Sequence, residues 1–296
     1  MKEKILITGS TGFVGRHLVP ELLNKGYQIL EITRNIEKSS KLFGNKTTKL
    51  LSDDDNFKRK IKEFRPAIVI HLASYLTSSD NLIEITKLID TNITFLSKIL
   101  DAISNVNLEL FVNTGTFAEY YFGDKELMPS YFYAATKTAS RAIVNYYANA
   151  YNFKQSTIVP YTIYGGNSSQ KKIIDIIYES TFSEKPLNLS PGEQVLDFIH
   201  IEDVTNFYIA VIRNINRLPN KTNFNLGTGK GHSIKELARH IEQVTNRTTN
   251  ICWGGKAYRK SDVMYAVANH DTIIENLNWS PKISLKEGIK KTFKKI

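Results

Sequence analysis

Apolar and polar positions in the first half of the chain follow a repeating order: a short apolar run, a turn, then a longer stretch with helical spacing. Lys4–Thr8 is the first apolar run. It leads into Gly9-Ser10-Thr11-Gly12-Phe13-Val14-Gly15 and then into a pattern through Leu18, Leu22 and Leu23 that ends at Gly26, a residue suited to closing a helix. Further strands are predicted at Gln28–Thr33 and at residues 47–51, 67–72, 108–113 and 156–159, with Pro66 turning the chain into the strand at 67–72. One amphipathic helix is expected over residues 82–104, and another begins at Tyr133. This alternation predicts an α/β fold with a doubly wound parallel sheet, and it places ligands at the carboxyl ends of the strands.

Two of these segments carry candidate chemistry. A glycine-rich turn between a strand and a helix lets backbone N–H groups approach a pyrophosphate at the helix N-terminus. In Ser130-Tyr131-Phe132-Tyr133-Ala134-Ala135-Thr136-Lys137, Tyr133 and Lys137 are four residues apart, on one face of a helix and about 6 Å apart along its axis. A cation beside a phenol is expected to lower its pKa from about 10 towards neutrality. Such a pair also arises by chance in helices, so its neighbours decide its meaning. After the strand ending at Thr33 there is no acidic residue before Glu37, and Arg34 occupies the position that would face the ribose 2′-hydroxyl. A guanidinium there suits a 2′-phosphate, hence NADP(H); the alternative is a surface arginine and NAD.

Composition narrows the class. The 296 residues are 42% hydrophobic and 23% charged, as in a globular protein with a substantial core. No apolar stretch is long enough to span a membrane, and the first residues run straight into a strand, so a cytoplasmic location is expected. Cys252 is the only cysteine, which excludes an intrachain disulfide and paired-cysteine zinc, and it is expected to be a small buried hydrophobe. The six histidines lack ligand spacing, so no metal site is expected. The net charge of +10 lies in short runs such as Lys58-Arg59-Lys60 and Lys290-Lys291, which read as solvated helix faces and point away from nucleic acid. A basic chain still favours small phosphate-bearing ligands.

The spacing of Gly9, Gly12 and Gly15 resembles that of the extended short-chain dehydrogenase/reductase family, which includes nucleotide-sugar epimerases, dehydratases and reductases. The resemblance continues in order through His71-Leu72-Ala73-Ser74, Asp90-Thr91-Asn92, Thr114-Gly115-Thr116, Tyr133 with Lys137, Tyr164-Gly165, Gln194 to Val204, Asn223 to Gly227, Arg259 with Asp262, and Asn278-Trp279-Ser280-Pro281 before a last helix from Leu285 to Lys295. It implies a Rossmann-type domain of residues 1–165 plus about 192–228. A smaller α/β substrate domain of about 166–191 plus 229–296 would complete the fold. It implies that Thr116 (or, as an alternative, Thr114) hydrogen-bonds the reacting oxygen, Tyr133 transfers the proton, and Lys137 tunes the tyrosine. The residues from Gly9 to Gly15, Arg34, Asn35, Asp53, Leu72, Ala73, Ser74, Asn92, Thr114, Tyr133, Lys137 and Pro160 would face the cofactor, Asp53 near the adenine. Thr116, Tyr133, Thr162, Leu196, Arg259 and Asp262 would face the substrate.

The chain also departs from the family. Phe117-Ala118 stands where 4,6-dehydratases carry Asp-Glu, and Glu119 is one residue too far to substitute, so dehydration is not expected. Val159, Thr162 and Leu196 replace an arginine, an asparagine and an arginine of the family pattern. Within the family the chain is most similar to the 4-ketoreductases of bacterial surface-sugar (O-antigen) synthesis, the group of the CDP-abequose and CDP-paratose synthases. The expected activity is NADPH-dependent reduction of a nucleotide-linked 4-keto-6-deoxyhexose, CDP- or dTDP-linked, with or without a 3-hydroxyl. A 4-epimerase holding NAD tightly and a non-catalytic NADP sensor are the alternatives. A homodimer through the helices at 82–104 and 133–151 is also expected.

Overall fold

A computed structural model describes residues 3–122, 126–166, 171–270, 273 and 277–293; the last positions of the expected final helix, Lys294 and Lys295, lie outside them. The elements in order are β1 (Lys4–Thr8), α1 (Gly15–Asn24), β2 (Gln28–Thr33), α2 (Ile36–Phe43), β3 (Thr48–Leu51), α3 (Phe57–Phe64), β4 (Ile68–His71), α4 (Leu82–Ile89), α5 (Phe95–Ile103), β5 (Leu110–Thr114), α6 (Phe132–Tyr151), β6 (Lys154–Pro160) and β7 (Thr162–Tyr164). They continue with α7 (Ile173–Ser180), β8 (Leu187–Leu189), β9 (Val195–His200), α8 (Ile201–Arg213), β10 (Lys221–Leu226), β11 (Gly231–Ser233), α9 (Ile234–Thr245), β12 (Ile251–Trp253), β13 (Tyr265–Ala266) and α10 (Leu285–Phe293).

Seven strands form one parallel sheet in the order β10-β6-β5-β4-β1-β2-β3. Its central strands are apolar without alternation, as burial on both faces requires. One apolar layer packs Leu18 and Leu22 of α1 with Phe207 and Tyr208 of α8; the other packs Leu96 and Ile99 of α5 with Val144 of α6. The strand order reverses between β1 and β4, so the crevice for a ligand opens at their carboxyl ends.

The smaller part has its own core around Tyr164, Ile174, Leu237 and Ile289. Here β9 pairs with β7, β11 and β13, and β8 pairs with β12. Within residues 192–228, β9 thus lies in the small sheet while β10 closes the large one. Two expectations need correction. Cys252 is exposed, because it sits on the outward face of a two-stranded edge. Residues 82–104 are interrupted: a π-helical turn, Asp90–Thr94, separates α4 from α5. The wider turn directs Asn92 inwards, where it is buried.

Candidate active site

The crevice is built first from glycines. Gly9 has φ +70°, and a Cβ on it would lie 2.6 Å from the Ala73 backbone nitrogen, so only glycine lets the turn after β1 rest against the turn after β4. A Cβ on Gly15 would overlap the Gly9 carbonyl oxygen. The close approach leaves a cavity of about 360 Å³ lined by Gly9, Ser10, Thr11 and Gly12, by Thr33, Arg34, Lys38 and Ser52, and by Leu72, Ala73, Ser74, Asp90, Thr91 and Phe95. The Ser10 Oγ is buried without a hydrogen-bond partner, and two cations line the cavity beyond β2, Arg34 in the turn and Lys38 in the first turn of α2. This donor set fits an elongated, phosphate-bearing ligand such as a dinucleotide.

Several sequence-predicted residues support the cavity from behind. Asn92 Oδ1 accepts from the Tyr75 N–H at 2.8 Å and the Ser74 hydroxyl at 3.2 Å, while its Nδ2 donates to the Tyr75 carbonyl and to Thr136 Oγ1. It therefore ties the β4 turn to α6. Asn35 caps α2 by accepting from the Lys38 N–H at 2.8 Å. Val14 precedes α1, and the Phe13 ring lies under the Lys172 ammonium, 3.3 Å from the ring centroid. Pro160 ends β6 opposite Leu226. Asp53 is exposed and does not line the cavity; its neighbour Ser52 does.

On the far side of the crevice, a 3-10 turn (Phe117–Glu119) joins the start of α6. Ala118 O accepts from the Ser130 N–H and hydroxyl at 3.0 and 3.1 Å. Thr116 caps that turn: its backbone N–H donates to Glu119 Oε1 at 2.7 Å. The alternative, Thr114, has its hydroxyl engaged with the Tyr208 hydroxyl at 2.9 Å. Tyr133 and Lys137 are both buried on α6. Burial pushes the Tyr133 phenol well above its ordinary range; a hydrogen bond from Ser74 opposes the rise, while Tyr131 and Glu119 add to it. The expected lowering by Lys137 is not among these influences, and burial prevails. Burial also lowers Lys137 from 10.5 to about 8; Glu119 opposes the fall and Arg141 adds to it. His71 is held neutral, its value depressed to about 3 by burial and by Lys137, and its Nδ1 is 2.9 Å from the Thr8 hydroxyl.

A second cavity of about 650 Å³ lies between this turn and the small domain. Its apolar walls include Phe117, Ala118, Leu187, Leu189, Leu196 and Val263, and its polar groups include Ser78, Gln194, Lys256, Arg259 and Asp262. Asp262 organises the loop, accepting from the Arg259 N–H at 2.9 Å and from Gln194 at 3.5 Å. Arg259 Nη1 reaches the Ser78 hydroxyl at 3.5 Å. Thr162 is in β7 against Phe198 and does not line the cavity. A larger hollow of about 860 Å³ lies around Pro20, Tyr27 and Phe64, away from the strand carboxyl ends where such a sheet takes its ligands.

Sequence reasoning missed Lys38 and Ser52 in the first cavity and Ser78, Gln194 and Lys256 in the second. A helix-spacing argument could have found Lys38, one turn after Arg34; the others carry no local pattern.

Compared with known families, residues 5–227 match the NAD dependent epimerase/dehydratase family. CDP-abequose synthase from Salmonella typhimurium is 27% identical, covering 100% of this chain and 99% of that protein. UDP-glucose 4-epimerase from Rhizobium leguminosarum bv. trifolii is 22% identical, covering 97% and 95%. Among solved structures, the UDP-glucuronic acid 4-epimerase from Bacillus cereus, in complex with UDP-glucuronic acid and NAD, superposes with a TM-score of 0.86 over 98% of both chains at 19% identity.

Proposed function

The chain belongs to the NAD dependent epimerase/dehydratase family, and from that premise we propose that it is an NADPH-dependent reductase acting at C4 of a nucleotide-linked 4-keto-6-deoxyhexose. Arg34, just after β2, and Lys38, in the first turn of α2, carry this reading. Two cations suit a 2′-phosphate, and the carboxylate within β2, Glu31, is buried and occupied by the Ser39 and Thr47 hydroxyls. The reductive direction follows, because NADPH is a freely exchanging reductant.

When bound, the dihydronicotinamide supplies a hydride to C4. Tyr133 gives its proton to the emerging alkoxide, and the Thr116 hydroxyl donates a hydrogen bond to the same oxygen. A phenol held above its ordinary range stays protonated through neutral pH, as a donor must. Lys137, charged below about pH 8, would hold the nicotinamide ribose hydroxyls. Arg259 and Lys256 take the diphosphate of a CDP- or dTDP-linked sugar. The enzyme works in the cytoplasm, in bacterial surface-sugar synthesis, as a homodimer in which exposed Leu82 and Ile83 of α4 and Tyr146 of α6 meet a second copy.

A second reading is a 4-epimerase that retains NAD, favoured by the 4-epimerases among the similar proteins. The deciding experiment offers NADPH and NADH to the purified protein with CDP-, dTDP-, GDP- and UDP-linked 4-keto-6-deoxy sugars and identifies products by NMR. Stoichiometric NADPH oxidation is expected. Tightly bound NAD with no net consumption of reduced cofactor would overturn the reductase in favour of the epimerase.

A further inference from the structure

Glu119 is too far along the chain to replace a dehydratase acid, and it is also wholly buried. Its Oε1 accepts from the Thr116 N–H at 2.7 Å and from Arg141 Nη2 at 3.0 Å; its Oε2 pairs with Arg141 Nε at 2.6 Å and accepts from Thr138 at 3.3 Å. Arg141 is one turn beyond Lys137 on α6, and its Nη1 donates to the Tyr120 hydroxyl at 3.0 Å. Gly115 makes room for the pair: a Cβ there would lie 2.6 Å from Glu119 Oε1 and 3.1 Å from Arg141 Nη2. Capping the turn needs only a neutral acceptor, whereas a buried ion pair carries a large desolvation cost. The charge therefore has a further use.

We propose that Glu119 is a positioning residue: its carboxylate holds the Thr116 turn against α6 and, balanced by Arg141, sets the electrostatic surroundings in which Lys137 works. This rests on the reading of Thr116, Tyr133 and Lys137 as the reacting set. The charged and titratable groups that act on or with Lys137 are Glu119 from the turn after β5, Arg141 from its own helix, and neutral His71 from β4. Glu119 favours the ammonium and Arg141 disfavours it, so breaking the same pair from its two ends has opposite consequences.

The test compares Glu119→Gln, Glu119→Ala and Arg141→Gln, titrating Lys137 through its carbon-13 Cε resonance and recording kcat against pH. Glu119→Gln should move the Lys137 titration down by about one pH unit or more, and Arg141→Gln should move it up by about as much. The alkaline limb of kcat should follow in each case. Glu119→Ala, which also loses the Thr116 cap, should lower kcat about tenfold further than Glu119→Gln without a further shift in pH. A merely structural ion pair would lower stability in all three and leave the titration in place, which overturns the proposal, as would shifts of one sign. If Glu119→Gln fails to fold, the upward shift in Arg141→Gln decides alone. Opposite shifts in a protein that never oxidises NADPH would refute the reductase reading and leave the link from Glu119 to Lys137 standing.

Discussion

Replacing Lys137 by methionine measures what an ammonium costs in this site. The side chain is 2% exposed, and burial lowers it from 10.5 to about 8. At about 1.4 kcal/mol per pH unit, the charged form is about 3 kcal/mol less favourable in the folded chain than in the unfolded one. The sign follows from proton binding. Between pH 8 and 10.5 the unfolded chain holds more of this proton, so stability rises with pH across that window and the full cost is present below pH 8. Methionine has similar reach and no charge. At pH 7 it should make the protein more stable by up to about 3 kcal/mol, a rise in Tm of roughly 5–10 °C, while turnover is lost. Calorimetric melts of both proteins at pH 7 and pH 10.5 test this, and the advantage of methionine should shrink at the higher pH. A variant less stable at pH 7, or one equally stabilised at both pH values, would refute the reasoning, because the ammonium would then be held by contacts that outweigh its burial. A gain in stability with a loss of activity is what a strained functional group is expected to give.

Three further outcomes follow from the same geometry. Tyr133→Phe should lower kcat by about 10²–10⁴-fold with the NADPH Kd, read by nicotinamide fluorescence, unmoved; unchanged turnover would remove Tyr133 from the proton path. Arg34→Ala and Lys38→Ala should each weaken NADPH by about 10–100-fold and leave NADH binding as it was, and an equal loss for both cofactors would count against a 2′-phosphate site. Asn92→Ala strands the Tyr75 backbone N–H and carbonyl, while Thr136 keeps its hydrogen bond to the Tyr133 carbonyl, and should cost about 2–4 kcal/mol in urea unfolding; a change within error would mean that water replaces the side chain.

Much of the frame was legible in the sequence because it is written in local spacing. The apolar runs at Lys4–Thr8 and Gln28–Thr33 read as strands, the glycines from Gly9 to Gly15 as a tight turn before a helix, and Tyr133 and Lys137 as neighbours on one helical face, and the structure has each of these. The stretch 82–104 shows where spacing runs out. Its apolar pattern reads as one helix, but the hydrogen bonds offered by Tyr75 and Thr136 from other parts of the fold draw Asn92 inwards and open a π turn. The second cavity likewise gathers Ser78, Phe117, Leu196 and Arg259 from four separate segments, which no single periodicity relates.

The sequence by itself determined the order of strands and helices, the glycine turn and the facing of Tyr133 with Lys137, because each depends on neighbours a few residues away. Only the tertiary structure decided the protonation of that pair, since a pKa answers to burial and to charges brought from elsewhere. It lifts Tyr133, lowers Lys137 and sets Glu119 with Arg141 beside them. It also brings Lys38 and Ser52 to the cavity of Arg34, since which chain segments meet at the strand ends is settled by packing across the whole sheet.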